Sequence, residues 1–188
     1  MSQRTRSRRD FLKASTAVAA AAYFPWTRRA FANLDKNDRP TIGCIGVGSM
    51  GTGDAHGHAN FGDIVAVCDV DANHAEKARQ DDRIGKGKAD AYKDYRKILD
   101  RKDIDAVVIA TPIFTHFPLA KACLENGKHV FIEKPMTRTI EEAKKVMAKA
   151  KTKPNLKVQV GVQGTSDDSY SAANEYVKKG ALGKVVMC

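Results

Sequence analysis

The sequence predicts an α/β fold, a doubly wound parallel sheet followed by the start of a truncated second, α+β domain. Two observations support this fold class. Short apolar runs bounded by Gly, Asp and Pro recur from residue 41 onward, and helical stretches lie between them. Such runs are typical of parallel strands that are buried on both faces. Their alternation with helices implies right-handed βαβ crossovers.

Five apolar runs are predicted as strands, and a weaker sixth strand is expected near residues 91–92. The five runs cover residues 41–47, 64–68, 106–110, 129–132 and 157–160. The predicted helices cover residues 73–84, 117–125, 140–151 and 170–179. The third of these helices has the clearest start, because Thr139 and Glu142 have the spacing of a capping box. The second helix ends before Gly127, a residue type that commonly terminates helices.

The first 32 residues resemble a twin-arginine signal peptide. Residues 7–13 contain paired arginines followed by Phe-Leu-Lys, and residues 14–24 form a weakly apolar stretch that is too short to span a bilayer. Ala30 and Ala32 are the small residues that a signal peptidase requires. Residues 1–32 therefore predict export by the Tat machinery, to the periplasm or beyond. An alanine-rich amphipathic helix with a basic end is the alternative.

Composition excludes several classes of protein. The net charge is +10, but residues 1–39 alone carry nine basic and three acidic residues, so the body lacks the basic patch of a nucleic-acid-binding protein. No apolar run reaches the roughly 20 residues of a stable membrane span. The four cysteines show no CxxC spacing, and Cys44 and Cys68 lie in strand patterns, where a buried apolar role is expected. His56 and His58 have no paired carboxylate in sequence reach, so no metal site is predicted.

A glycine-rich loop follows the first predicted strand. Residues 46–51 read GVGSMG, in which the first glycine makes a tight turn, the second admits a pyrophosphate and the third allows close helix–strand packing. Asp69 ends the second strand 23 residues after Gly46, where an acid binds a ribose diol. Because an acid there repels a 2′-phosphate, NAD is predicted rather than NADP. A solvated turn acid is the alternative. The predicted cofactor-binding residues of this part are Gly46, Gly48, Ser49, Met50, Gly51 and Asp69.

Three more loops are expected at the same edge of the sheet. They follow the strands that end near residues 110, 132 and 160. In an open parallel sheet, ligands lie outside the carboxyl ends of the strands, so these loops share a crevice with the glycine loop. Their predicted cofactor contacts are Thr111, Pro112, His116, Glu133, Lys134 and Gln163.

Lys134 is the predicted catalytic residue. A lysine that is partly desolvated beside a cationic nicotinamide ring would have a lowered pKa and could move protons. Pro135 biases Lys134 toward an extended backbone, which fixes the direction of its side chain. The alternatives are that Lys134 is a surface lysine, that His116 caps or faces solvent at a helix start, and that Gln163 bonds only to neighbouring backbone.

Together these motifs resemble the glucose–fructose oxidoreductase, inositol dehydrogenase and MocA family (Gfo/Idh/MocA) over about residues 40–188. The matching residues are Gly46-x-Gly48-x-x-Gly51, Asp69, Thr111-Pro112 with His116, Glu133-Lys134-Pro135, Gly161-x-Gln163 and Gly180-x-x-Gly183-x-Val185. The resemblance implies a linker over residues 33–40 and an NAD-binding Rossmann domain over 41–163. It also implies that residues 164–188 are a connecting helix and the first strand of a truncated substrate domain.

The resemblance also implies a function. Members are NAD(P)-dependent oxidoreductases of sugars and polyols, so Lys134 would relay a proton or orient a substrate hydroxyl. The family's other catalytic residues lie in the second domain, so this chain is expected to bind NAD with little or no turnover. A homo-oligomer is expected only for a full-length protein. Two alternatives stay open: a glycoside hydrolase that keeps NAD bound and resembles α-N-acetylgalactosaminidases, and a non-catalytic nucleotide-binding remnant.

Overall fold

The computed structural model describes residues 39–164 and 167–184, and these contain a six-stranded parallel sheet. The sheet order is β3-β2-β1-β4-β5-β6, and every neighbouring pair is parallel. The strands are β1 (Thr41–Ile45), β2 (Asp63–Cys68), β3 (Asp90–Tyr92), β4 (Ala106–Ile109), β5 (His129–Glu133) and β6 (Val158–Gly161). This is the strand order of the Rossmann fold, which confirms the predicted fold class, including the weak strand at β3. The predicted leader, most of the linker and the last predicted strand lie outside the described residues.

The described residues contain six α-helices and one turn of 3-10 helix, Ile113–Thr115. All but the last helix lie between strands. The helices are α1 (Ser49–His58), α2 (Ala72–Gln80), α3 (Arg96–Asp100), α4 (His116–Glu125), α5 (Ile140–Lys151) and α6 (Asp168–Lys178). Helix α5 has the predicted bounds and the predicted capping box. The Thr139 hydroxyl accepts the Glu142 amide at 3.2 Å, and the Glu142 carboxylate accepts the Thr139 amide at 3.2 Å.

The largest differences from the prediction are in two helices. Helix α2 ends at Gln80 rather than at residue 84, because the Asp81 side chain accepts the amides of Arg83 and Ile84 and holds the chain in a turn. Ile84 is nevertheless buried, so its apolar character reflects a turn that packs on the core rather than another helical position. Helix α3 was not predicted, because its five residues are too few to show a helical period.

The core lies on both faces of the sheet. Alternate residues of β4 point to opposite faces, as strand geometry requires. Val107 and Ile109 pack in a cluster with residues of α4 and α5, whereas Val108 packs in a second cluster with Ala55 of α1 and Ala78 of α2. Because helices cover both faces, the loops at the carboxyl ends of the strands remain available for a ligand.

Helix α6 follows the sheet and contributes no buried residue. Its Tyr170 ring lies against Gly164, and a Cβ at Gly164 would come within 2.9 Å of that ring. Across the described parts of the chain, no helix combines the length and the apolar character that crossing a membrane requires.

The cysteines of the core should be chemically inert in the folded protein. Cys44, Cys68 and Cys123 are buried free thiols, and burial raises the pKa of each to about 12. Their thiolate fraction at pH 8 is therefore on the order of 10⁻⁴.

We expect iodoacetamide at pH 8 to leave all three unmodified in the native protein and to modify all three in 8 M urea, as measured by peptide mass mapping. Modification of any of the three in the native protein at the rate of free cysteine would contradict this burial.

Candidate functional site

Packing requires two of the three glycines in the loop between β1 and α1. Gly46 has a φ of +83°, and a Cβ there would lie 2.7 Å from the Ala110 carbonyl oxygen. A Cβ on Gly51 would overlap the carbonyl oxygen of Gly46. The loop is also held by the Thr52 hydroxyl, which donates to the Val47 carbonyl at 2.9 Å. These two glycines are therefore explained by the fold itself.

Gly48 is different, because no protein atom crowds it. The nearest atoms to a Cβ at this position would belong to the His74 ring, 3.7 Å away, which is an ordinary van der Waals contact. Gly48 is the N-cap residue of α1 and lines a cavity. The missing side chain therefore leaves space that the protein does not fill, which fits the close approach of a ligand's phosphates to the backbone.

The Asp69 carboxylate is tied to the glycine loop. Its Oδ2 accepts the Val47 amide at 2.9 Å, and its Oδ1 accepts the Asp71 amide at 2.9 Å. Its side chain is only 11% exposed, so it is not a solvated acid, although its bond to the Asp71 amide is that of a turn acid. A carboxylate has about four acceptor positions, and these two bonds leave acceptor capacity for the hydroxyls of a ribose.

A cavity of about 580 Å³ opens at the carboxyl ends of β1, β2 and β4. Strands β1 and β4 are neighbours in the sheet, and the strand order reverses between them. That reversal is the topological switch point at which doubly wound sheets bind ligands, and the volume is in the usual range for a small-molecule site. The predicted residues that line the cavity are Gly46, Gly48, Asp69, Thr111 and Pro112.

Several lining residues were not predicted from the sequence. Lys93 is the first residue after β3, so the rule used for the other strands would have found it had β3 been a clear strand. His74 lies on α2, with its Nδ1 3.7 Å from Asp69 Oδ2. No sequence signal identifies His74, because the face that α2 turns toward the loop depends on tertiary packing. Tyr95 and Phe114 are two more lining residues that were not predicted.

The remaining predicted residues lie at the same edge of the sheet but do not line this cavity. Ser49 and Met50 are exposed at the start of α1, and Gly51 is buried beneath them. Lys134 and Gln163 are exposed after β5 and β6. The predicted site is therefore divided between the ends of β1, β2 and β4 and the ends of β5 and β6.

Glu133 is a buried carboxylate at the end of β5, with 6% of the residue exposed. Its Oε2 accepts the Lys134 amide at 3.1 Å. A Cβ on Gly161 would lie 2.5 Å from Glu133 Oε1, so the glycine makes room for the acid. Cofactor contact by Glu133 stays a prediction, and its buried position favours a role in shaping the backbone at Lys134.

His116 joins two of the predicted loops. It is 2% exposed, its Nδ1 lies 2.8 Å from the Pro135 carbonyl oxygen, and its Nε2 lies 2.8 Å from the Thr111 carbonyl oxygen. The solvent-facing alternative is therefore wrong. Contact with the cofactor stays a prediction, and the two backbone contacts favour a role in holding the loop after β4 against the loop after β5.

Two further acids near the histidines of α1 were not predicted. Asp54 Oδ2 is buried without a hydrogen-bond partner, and burial together with the negative charge of Glu133 raises the pKa of this carboxyl. His56 Nε2 lies 2.9 Å from Asp81 Oδ2, so the expectation that no carboxylate is in reach was wrong for His56. Within residues 39–164 and 167–184, no three His, Cys, Asp or Glu side chains are grouped to hold a metal ion.

The fold and the site define a dinucleotide-binding domain. Residues 41–162 match the family described as "Oxidoreductase family, NAD-binding Rossmann fold" (Gfo/Idh/MocA), and residues 7–22 match the twin-arginine translocation signal sequence. The chain therefore belongs to the Gfo/Idh/MocA oxidoreductase family, its cofactor is NAD, and it carries a signal for export through the twin-arginine pathway. These matches confirm both resemblances that the sequence suggested.

Relatives of the chain include two kinds of named enzyme. It is 38% identical over 160 residues to "Glycosyl hydrolase family 109 protein 2" of Shewanella sp. (strain ANA-3), which covers 72% of this chain and 35% of the relative. It is 33% identical over 154 residues to inositol 2-dehydrogenase of Rubrobacter xylanophilus, covering 80% and 43%.

A solved structure shows the same fold. Myo-inositol dehydrogenase of Lactobacillus casei in complex with NAD(H) and myo-inositol is similar with a TM-score of 0.68 and 32% identity, over 77% of this chain and 42% of that one. The chain thus spans well under half the length of the relatives that it matches.

Replacement of Gly48 should separate ligand binding from folding. We expect Gly48→Ala to weaken NAD⁺ binding at least about tenfold, since the new methyl group would occupy the space beside the diphosphate. The midpoint of thermal unfolding should change little, because Ala for Gly at an N-cap costs at most about 1 kcal/mol. Calorimetric titration and a thermal melt measure the two quantities.

Gly53→Ala is the matched control for Gly48→Ala. Gly53 lies inside α1, and no atom would come within 4 Å of a Cβ added there, so this variant should keep its NAD⁺ affinity and gain roughly 0.5–1 kcal/mol of stability. Equal NAD⁺ affinities for the two variants would show that Gly48 does not face the diphosphate.

Proposed function

We propose that this chain is the cofactor domain of an exported NAD-dependent oxidoreductase that acts on a sugar or polyol. The observation that carries the proposal is the placement of Asp69. Its carboxylate accepts a hydrogen bond from the Val47 amide of the glycine loop. It also lines the cavity beside Gly48, where the absence of a side chain leaves space for a ligand. An acid so placed accepts the hydroxyls of a ribose while the neighbouring backbone faces its phosphates.

The residues of this chain would divide the binding of NAD between them. The first amides of α1, from Ser49 to Gly51, would meet the diphosphate, because a helix N-terminus favours negative charge. Asp69 would bind the adenosine ribose. NAD, when bound, supplies the hydride chemistry of the reaction. Lys134, which is exposed at the end of β5, would hold or receive the substrate's proton at its Nζ.

The substrate class is supported by the relatives. Inositol 2-dehydrogenase of Rubrobacter xylanophilus and the Lactobacillus casei enzyme in complex with myo-inositol are both named for polyol substrates. Because this chain spans less than half of each, the substrate, the turnover and a homo-oligomer of the full-length protein stay proposals.

A glycoside hydrolase that retains NAD is the second candidate, and the 38% identity to a family 109 glycosyl hydrolase favours it. The two candidates differ in the fate of the cofactor. A dehydrogenase releases NADH in step with its oxidised product, whereas a hydrolase that re-reduces its sugar accumulates no NADH.

The cofactor preference should depend on the charge of Asp69. We expect Asp69→Asn to weaken NAD⁺ binding 10- to 100-fold, the equivalent of the roughly 1.5–3 kcal/mol of a hydrogen bond to a charged group. NADP⁺ should lose less affinity, because the repulsion of its 2′-phosphate is relieved at the same time. Calorimetric titration with both nucleotides measures the ratio.

Asp71→Asn is the control, because Asp71 is the exposed N-cap of α2 and asparagine caps a helix equally well. This variant should bind both nucleotides as the wild type does. A parallel loss of NAD⁺ and NADP⁺ affinity in Asp69→Asn would refute the ribose assignment.

The reaction type is tested by following NADH and product together. With myo-inositol and NAD⁺, we expect slow NADH formation at 340 nm, reduced at least about tenfold in Lys134→Met, since an uncharged side chain transfers no proton. Lys151→Met, at the end of α5, is the control and should keep the rate. Release of p-nitrophenol from its α-N-acetylgalactosaminide without NADH would instead support the hydrolase. NAD⁺ binding without either reaction would support a domain that binds the nucleotide but catalyses neither reaction by itself.

A further inference from the structure

His74 lies between Asp69, which is proposed to bind the adenosine ribose, and Gly48, which is proposed to face the diphosphate. Its Nδ1 lies 3.7 Å from Asp69 Oδ2, and its ring lies 3.7 Å from the position that a Cβ of Gly48 would take. The side chain is 47% exposed and lines the cavity, so it can contact a bound molecule. Its backbone is fixed near the start of α2, where the Asp71 carboxylate accepts the Asn73 amide at 2.8 Å.

The charge of the His74 ring determines how the net charge beside the proposed ribose position changes with pH. The other titratable side chains that line the cavity are Cys68, Asp69, Lys93 and Tyr95. Burial raises the pKa of the Cys68 thiol to about 12, so the thiol stays neutral. Near His74 along the chain, Asp71 and Lys77 are exposed and do not line the cavity, and Glu76 and Arg79 pair with each other. Aspartate and lysine keep their charges between pH 5 and 8, and tyrosine stays neutral, whereas histidine is the side chain type that changes charge in this range. The balance beside the ribose position therefore depends on the state of the His74 ring.

We propose that His74 makes the choice between NAD and NADP depend on pH. With a neutral His74 ring, the Asp69 carboxylate repels a 2′-phosphate and NAD is preferred. When the ring is protonated, its positive charge offsets the carboxylate and attracts the phosphate, so NADP is accepted more readily. This inference rests on the proposed binding of the adenosine ribose by Asp69.

The ratio of the two dissociation constants isolates this effect. NAD and NADP share the diphosphate, the nicotinamide and the adenine, so a change of charge that acts on those groups cancels in the ratio. The 2′-phosphate itself gains a proton near pH 6, and this change also alters the ratio. A variant without the histidine contains only that second contribution, so comparing the two proteins separates them.

The experiment is a calorimetric titration of the chain with NAD⁺ and NADP⁺ at pH 5.5 and at pH 8.0, for the wild type and for His74→Gln. Glutamine is uncharged and forms helices at least as well as histidine, so the variant keeps α2. Between pH 8.0 and pH 5.5, the preference for NAD⁺ over NADP⁺ should fall in both proteins. We expect this fall to be about fivefold larger in the wild type than in His74→Gln, which is the effect on affinity of one half-exposed ion pair. Lys93→Gln, which changes a constant charge of the same cavity, should keep the wild-type pH response.

The outcomes are distinct. An equal change of preference in the wild type and in His74→Gln, with NAD⁺ bound at both pH values, overturns the role of His74 and leaves the proposed function intact. Loss of the pH response in Lys93→Gln as well as in His74→Gln overturns it too, since the response would then follow the total charge of the cavity. No NAD⁺ binding by the wild type at either pH overturns both the cofactor assignment and this inference.

Discussion

The hydrogen bond from the Val47 amide to the Asp69 carboxylate connects the two parts of the nucleotide site. Parallel pairing of β1 with β2 sets Ile45 beside Cys68, so the chain segments that leave these strands are adjacent. The bond of 2.9 Å then fixes the loop through a nearly buried charge, where a hydrogen bond contributes roughly 1.5–3 kcal/mol. The side chain proposed to bind the ribose thus also positions the backbone that is proposed to bind the diphosphate.

The rigidity of this arrangement comes from the centre of the sheet. Strands β1 and β4 are neighbours at the point where the strand order reverses, and β4 is buried on both faces. Gly46 lies so close to the Ala110 carbonyl that no side chain fits between the two loops. Close backbone packing therefore forms this border of the cavity without a ligand, as in a site that is largely pre-formed.

The sequence predicts most of the fold and, within the site, several of the residues that line the cavity at the ends of β1, β2 and β4. Buried strands are visible as continuous apolar runs, and the capping box at Thr139 and Glu142 fixes the start of α5 to the residue. Asp69 was predicted because the rule that places it depends on strand ends alone. His74 and the pairing of His56 with Asp81 were not predicted, because both depend on how α1 and α2 pack, and no spacing in the chain encodes that geometry.

His116 shows why the roles of the predicted residues outside the cavity are harder to derive from the sequence. Its position after β4 suggests a ligand contact, but the ring is buried and lies between the carbonyl oxygens of Thr111 and Pro135. Carbonyl oxygens only accept hydrogen bonds, so a neutral ring satisfies one of them and a doubly protonated ring satisfies both. The histidine therefore connects the cavity beside Thr111 to the backbone at Lys134. One buried side chain thus contacts both the loop that borders the cavity and the loop that carries the proposed catalytic lysine.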